Sequence, residues 1–174
     1  LVLNAVKGED YEVLLQKRDA GTTIAAIHGG LIDPPTGELA GAIAGEDCNL
    51  YVLRGLRDER AADLRVSVNR YDEMRLRALM ERSEESIALL GVEGALPIVH
   101  LGGRNQVLKR ALATALEAAG FAVGGPASPG AAHDPTRFYN LPTYGGVQVE
   151  LTHALCQELR AGPQATRWSA FVTA

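Results

Sequence analysis

The sequence predicts an α/β fold of three layers, in which a mixed or largely parallel sheet lies between helices. Two observations lead to this prediction. Short apolar and β-branched runs alternate along the chain with segments that carry apolar residues at helical spacing. Glycine, proline or asparagine separates most of these segments, as is typical of turns. At 174 residues and 47% hydrophobic content the chain can bury one sizeable core, so residues 1–174 are predicted to form a single domain.

The first half of the chain predicts a βαβ unit followed by a further strand and helix. β-prone runs predict four short strands, over residues 11–17, 22–27, 49–54 and 64–68. A helix is predicted over residues 36–44, where Pro34 and Pro35 forbid an earlier start. Leucine and methionine at helical spacing predict a second helix over residues 72–81, with Asp72 as its N-cap.

The second half repeats this alternation of strands and helices. Apolar runs predict strands over residues 86–90, 97–101, 121–123 and 147–151. One apolar stripe and a following Gly120 predict a helix over residues 104–119, and Thr152 is a candidate cap for a last helix that ends near Arg160. Residues 124–144 are rich in Gly, Pro, Ser and Asn, which is typical of a long functional loop. Trp168 and Phe171 predict that the C-terminal tail packs against the core.

The stretch from Ile24 to Ala40 has the features of a ligand site. His28 ends a buried strand, Gly29 and Gly30 permit a tight bend, and Asp33 precedes the two prolines. In open α/β sheets ligands bind at the carboxyl ends of the strands. We therefore expect His28 and Asp33 to converge on one point there.

Charge and composition exclude several classes of function. A net charge of -4 and a pI of about 5.6 give no cationic field for a phosphate backbone or anionic lipid, so we expect no nucleic-acid partner. No apolar stretch approaches the roughly 20 residues that a membrane helix needs, and no signal peptide is evident. We therefore expect a soluble protein with no membrane partner, in the cytoplasm or in a compartment that the sequence does not identify.

Five segments, in order, resemble the poly-γ-glutamate hydrolase family, whose phage and bacterial members are similar in fold to zinc carboxypeptidases. HGGLIDPPTGELA, at residues 28–40, resembles the family's HGG-x-IE-x-GT-x-ELA segment. The other four segments lie downstream: YVLRG at 51–55, RVSVNRYDE at 65–73, LGG at 101–103 and VQVEL at 147–151. Together they span most of residues 22–160.

This resemblance implies a zinc-dependent hydrolase of γ-linked glutamyl or related amide bonds, with a γ-glutamyl polymer or peptide as partner. Such a site needs three protein ligands, an open position for water and a carboxylate as general base. His28 and Asp33 match the first two zinc ligands, with Asp one methylene shorter than the family's Glu. Glu150 matches the catalytic glutamate. Arg137 is the arginine nearest to the position expected to hold a substrate carboxylate.

The resemblance fails at the remaining zinc ligand. The family's later histidines fall on Arg65 and Leu90, and neither side chain carries a lone pair for a metal. Arg65 is therefore predicted either to pair with Asp33 and Glu150 in the place of the metal, where it could contact substrate, or to be a solvated residue. We do not expect His100, His133 or His153 to replace the missing ligand, although His133 lies in the long loop. Two functions stay open: the zinc hydrolase, and an inactive family member with a binding or structural role.

Overall fold

A computed structural model of the chain describes residues 5–127 and 132–174. Its seven strands form one mixed sheet in the order β1-β3-β2-β4-β7-β5-β6. The strands are β1 (Tyr11–Gln16), β2 (Thr22–Gly30), β3 (Asn49–Gly55), β4 (Glu85–Val92), β5 (Ile98–Gly103), β6 (Ala122–Gly124) and β7 (Gly146–Thr152). β3, β2, β4 and β7 run parallel, whereas β1 and β5 pair antiparallel with β3 and β7. The predicted mixed sheet is confirmed.

Six α-helices lie wholly within the described part of the chain. They are α1 (Thr36–Ala44), α2 (Asp58–Leu64), α3 (Met74–Met80), α4 (Gln106–Ala118), α5 (His153–Leu159) and α6 (Thr166–Thr173). Two 3₁₀ turns, Val68–Arg70 and Phe138–Asn140, also lie in the described ranges. Among these described segments, none of the helices combines the length and the apolar character that crossing a membrane requires.

The core has two halves, one on each face of the sheet. Along β2, Ile24 and Ala26 belong to one half and Ala25 and Ile27 to the other, because successive side chains of a strand point to opposite faces. Residues of α1, α4, α5 and α6 contribute to the first half, and residues of α3 and the Phe138–Asn140 turn contribute to the second. The three predicted layers are therefore confirmed.

The strand predicted over residues 64–68 is wrong. Leu64 ends α2, and Val68 begins a 3₁₀ turn. A strand needs an unpaired neighbour, but β3 already lies between β1 and β2, and β2 lies between β3 and β4. The segment between Leu64 and Val68 instead approaches the carboxyl ends of β2 and β4 without joining the sheet, and its contacts build the site described below.

Two helix ends show how local capping sets the boundaries. The helix predicted from Asp72 begins at Met74, because the Glu73 carboxylate accepts a hydrogen bond from the backbone N–H of Leu76 at 2.9 Å. The last predicted cap is confirmed, since the Thr152 hydroxyl accepts from the N–H of Leu155 at 3.4 Å. The C-terminal tail packs as predicted, with Trp168 and Phe171 of α6 buried.

Candidate functional site

A polar cleft lies where the parallel strands β2, β4 and β7 end. His28 stands near the end of β2, Gly91 near the end of β4 and Glu150 near the end of β7. The pairing of β2 with β3 shifts register between Ala26 and Gly29, an irregularity of the kind that redirects side chains at sheet ends. The sequence-based expectation that the site lies at this edge therefore agrees with the geometry.

His28 and Asp33 converge, as their spacing predicts. His28 Nδ1 lies 3.3 Å from Asp33 Oδ2, and the two residues are only 4% and 8% exposed. The loop between them is held by its own backbone, since the Asp33 N–H donates to the His28 carbonyl at 2.8 Å. The Thr36 hydroxyl donates to the Asp33 carbonyl at 2.8 Å and also contacts that of His28 at 3.2 Å. The Asp33 side chain thus reaches His28 from a loop that its own hydrogen bonds hold in place.

The hydrogen bond on the far side of the His28 ring assigns its tautomer. His28 Nε2 lies 2.8 Å from the Val66 carbonyl, and because a carbonyl can only accept, Nε2 carries the hydrogen. In the neutral ring Nδ1 then carries a lone pair, which faces Asp33 Oδ2. Neither of these two buried atoms has a hydrogen-bond partner among the described residues. Two acceptors aimed at each other form a cradle for a cation or a proton.

Arg65 brings a permanent positive charge to this pair. Its guanidinium donates to Asp33 Oδ1 and, at 2.9 Å, to the carbonyl of Gly91. Gly91 leaves the room for this contact, because a Cβ there would lie 2.7 Å from Asp33 Cγ. Arg65 and Val66 thus hold the two members of the pair from one short segment. The predicted ion pair between Arg65 and Asp33 is present, and the Arg65 side chain remains 41% exposed. The predicted pair between Arg65 and Glu150 is not found among the described residues, since the Glu150 carboxylate accepts from Gln148 and Ala127 instead.

Glu150 faces the same cleft from β7, and both of its carboxylate oxygens have protein donors. Oε1 accepts from Gln148 Nε2 at 2.8 Å, and Oε2 accepts from the Ala127 N–H at 2.9 Å. The residue is 5% exposed. A cavity of about 330 Å³ separates Glu150 from the opposite wall, and it is lined among others by His28, Arg65, Leu90, Tyr139, Gln148 and Glu150. Burial raises the pKa of the Tyr139 phenol to about 12, so it stays protonated at neutral pH.

The other predicted residues lie elsewhere. Arg137 pairs with Asp134 at 3.2 Å, is only 14% exposed, and does not line the 330 Å³ cavity that the described residues form. His100 Nδ1 donates to the Gly125 carbonyl at 2.8 Å, His133 is exposed, and His153 bonds with the side chain of Gln157. The structure therefore gathers His28, Asp33, Arg65 and Glu150, and separates Arg137 from them.

These residues do not fit a three-ligand zinc site. The cradle supplies two atoms that could bind a metal, His28 Nδ1 and Asp33 Oδ2. A zinc site that keeps an open position needs three protein ligands. The described ranges contain no group of three or more His, Cys, Asp or Glu side chains that could hold a metal ion. The cation next to Asp33 is the Arg65 guanidinium, which has no lone pair to donate. The zinc-ligand roles of His28 and Asp33 therefore stay predictions.

Sequence reasoning missed three of the groups that shape the cleft. Gln148 could have been found, because the alternation in VQVE places it on the face of Glu150, two residues away. Tyr139 lies in a segment without periodicity and gave no signal. The carbonyl of Val66 is a backbone group, and no side-chain pattern identifies it.

Arg65 also separates the cleft from a second cavity. This cavity measures about 150 Å³, and Arg65, Gly91 and Val92 line both. Cys156 also lines the smaller cavity. Burial raises the pKa of the Cys156 thiol from 9.0 to about 11, the Asp33 carboxylate adds to this, and Arg160 and Arg65 oppose it. The thiol is therefore neutral at physiological pH.

The raised pKa of Cys156 predicts a loss of stability in alkali. Since the unfolded chain ionises near 9.0 and the folded chain near 11, the folded state is favoured below pH 9 and loses that advantage as the pH rises through 11. At about pH 10.5 the loss from this thiol alone is on the order of 2 kcal/mol. Urea unfolding at about pH 7 and pH 10.5 measures it. The Cys156→Ala variant should lose less stability between the two pH values than the wild type, and an equal loss would contradict the assignment.

Comparisons with known proteins agree with the fold and the segment matches. The profile of the poly-gamma-glutamate hydrolase family matches residues 1–166. UPF0714 protein YndL of Bacillus subtilis (strain 168) is 28% identical over 112 residues, which are 64% of this chain and 44% of that protein. The SPbeta prophage-derived UPF0714 protein YoqZ of the same strain is 27% identical over 111 residues, or 64% of this chain and 40% of that protein. The chain spans less than half the length of these curated relatives.

Two solved structures superpose closely. A bacteriophage poly-gamma-glutamate hydrolase gives a TM-score of 0.88 at 19% identity, over 95% of this chain and 86% of that one, which shows the fold. YndL in an apo, zinc-free form gives a TM-score of 0.85 at 25% identity, over 94% of this chain and 86% of that one. Since the family profile covers nearly the whole sequence, the chain belongs to the poly-gamma-glutamate hydrolase family.

Proposed function

We propose that this chain binds γ-glutamyl polymers or peptides in the cleft at the ends of β2, β4 and β7, without hydrolysing them by zinc-dependent chemistry. The observation that carries this proposal is the position of Arg65. Its guanidinium donates to Asp33 Oδ1 beside the His28–Asp33 cradle. This supports the proposal, because a guanidinium has no lone pair for a metal and lies beside two atoms to which a zinc site would have to add a third ligand.

Electrostatics supports a built-in cation at this point. Asp33 and Glu150 are both at least nine-tenths buried, and buried carboxylates are costly unless they are paired or hydrogen-bonded. Glu150 has two N–H donors, and Asp33 has the guanidinium of Arg65. Both carboxylates thus receive hydrogen bonds from the chain's own N–H groups.

The chemistry of the cleft suits a γ-glutamyl unit. Such a unit carries a free α-carboxylate and an amide, so it needs a cationic donor and an acceptor for an N–H. Arg65 and Glu150 line the same 330 Å³ cavity and supply these two groups. The family to which the chain belongs, and the bacteriophage poly-gamma-glutamate hydrolase that shares its fold, support the choice of this ligand class.

A second candidate is a zinc-dependent hydrolase of γ-glutamyl amide bonds. The two unpartnered acceptors, His28 Nδ1 and Asp33 Oδ2, favour it, because they face each other at 3.3 Å in a buried site. YndL has been described in a zinc-free apo form, which associates zinc with one relative of this chain. In this second candidate Arg65 has to leave Asp33 before any metal can bind.

Incubation with poly-γ-glutamate separates the two candidates. Fluorescence anisotropy with labelled poly-γ-glutamate measures binding, and gel filtration of the polymer after incubation with zinc-loaded protein measures cleavage. We expect saturable binding and an unchanged chain length, with weaker binding of α-linked polyglutamate, a control ligand of equal charge. Polymer shortening that stops in both His28→Ala and Glu150→Gln would instead support the hydrolase. Absence of binding would overturn the proposed function.

A further inference from the structure

The Arg65 guanidinium has donors left after it binds the protein. Arginine carries five N–H groups. Within the described residues one N–H is bonded to Asp33 Oδ1 and another to the Gly91 carbonyl, which leaves three for a ligand. The side chain is 41% exposed and lines the 330 Å³ cavity, so a ligand in the cavity can contact it. The two protein acceptors hold the guanidinium in place, so little side-chain freedom is lost when a ligand binds.

The wall that carries Arg65 is rich in donors. The segment that follows it places Ser67 and Asn69 on the same cavity, which adds a hydroxyl and a carboxamide next to the guanidinium. Ser67 Oγ accepts from the Asn69 N–H at 3.3 Å, so its own hydrogen is available to a ligand. Glu150 is the acidic side chain among the described residues that line this cavity, and it comes from a different strand, β7. The cavity thus receives its positive and its negative charge from different segments of the chain.

We propose that Arg65 is the receptor for the α-carboxylate of a bound γ-glutamyl unit and determines the preference of the cleft for that group. This inference rests on the proposed function and assigns its specificity to one side chain. The carboxylate contacts the free N–H groups of Arg65, and the amide of the same unit lies toward Glu150. A guanidinium suits this role because its planar fork matches a carboxylate in a bidentate arrangement.

Modified ligands test the inference on the unaltered protein. Isothermal titration at physiological salt compares a γ-linked glutamate oligomer with the same oligomer after its α-carboxylates are converted to carboxamides. We expect the amidated oligomer to bind at least about 10-fold more weakly, since a hydrogen bond to a charged group contributes about that factor or more. Equal affinity for the two oligomers would overturn the role of Arg65 while leaving the proposed binding function intact. Failure of both oligomers to bind would overturn the proposed function itself.

Two substitutions of Arg65 and one control variant test whether the preference depends on this side chain. Arg65→Gln should weaken binding of the carboxylate oligomer about 10-fold or more and leave the amidated oligomer nearly unchanged. Arg54→Gln is the matched control, since Arg54 is also a half-exposed arginine paired with a carboxylate, that of Glu12, but does not line the cleft formed by the described residues. Arg65→Lys keeps the charge without the planar fork and should lie between the wild type and Arg65→Gln. Equal loss of binding in Arg54→Gln and Arg65→Gln would contradict the inference.

Discussion

Replacement of Arg65 by histidine is expected to give the chain a stoichiometric zinc site. In the wild type, His28 Nδ1 and Asp33 Oδ2 form a two-donor cradle, and the neighbouring Arg65 supplies a cation without a lone pair. A histidine at this position removes that cation and adds the third donor that a zinc site with an open position needs. We therefore expect the Arg65→His variant to retain one equivalent of zinc after dialysis, whereas the wild type retains much less than one.

Two further variants show whether the new zinc occupies this site. The double variant Arg65→His with His28→Ala should lose the metal, because the cradle then has a single original donor. Arg54→His adds a histidine beside Glu12, away from the cleft, and should retain no more zinc than the wild type. Elemental analysis of the dialysed proteins measures all four. If Arg65→His fails to gain zinc while it remains folded by circular dichroism, Arg65 does not stand in the place of the third ligand.

Gly146→Ala is expected to be strongly destabilising. A Cβ on Gly146 would overlap the Tyr139 carbonyl oxygen and the Ser86 hydroxyl, and it would lie 2.8 Å from the Ser86 carbonyl. The Ser86 hydroxyl donates a hydrogen bond to the Tyr139 carbonyl at 2.9 Å. This bond holds the Phe138–Asn140 turn against β4. The methyl group must displace backbone on both sides, so we expect a loss of about 1–3 kcal/mol or more in the free energy of unfolding.

Gly41→Ala is the matched control for this prediction. Gly41 lies inside α1, and a Cβ there would meet no atom within 4 Å other than those of its chain neighbours and the backbone of its own helix. Alanine is favoured over glycine in a helix interior, so this variant should gain roughly 0.5–1 kcal/mol. Chemical unfolding of the two variants beside the wild type gives both numbers. Equal stability of Gly146→Ala and the wild type would contradict the close packing of the Phe138–Asn140 turn against β7.

Periodicity and capping allowed much of the fold to be predicted from the sequence. The predicted helix over 36–44 has the observed bounds of α1, because two prolines fix its start and its apolar residues repeat at helical spacing. Glu150 could be assigned to the site because VQVEL, at residues 147–151, resembles a segment of the family. These signals are local, so they survive without knowledge of the tertiary structure.

The parts that the sequence could not predict depend on long-range contacts. Residues 64–68 have strand-like composition, but the neighbouring strands are already paired, and only the sheet order shows this. The ion pair of Arg65 joins Asp33 from 32 positions away, so sequence reasoning left it as one of two alternatives. Arg137 was chosen by its nearness in sequence to an expected motif, but only the tertiary structure shows that it lies outside the 330 Å³ cavity that the described residues form. Interactions of this kind follow from tertiary structure and not from periodicity.

The most direct test of the account is the metal dependence of ligand binding by the wild type. A γ-linked glutamate oligomer is titrated into the protein once in the presence of a chelator and once after zinc loading. Because Arg65 supplies the cation of the cleft, the account predicts the same dissociation constant in both titrations and an intact oligomer at the end of each. Binding or cleavage that appears only after zinc loading, with Arg65 unaltered, would contradict it.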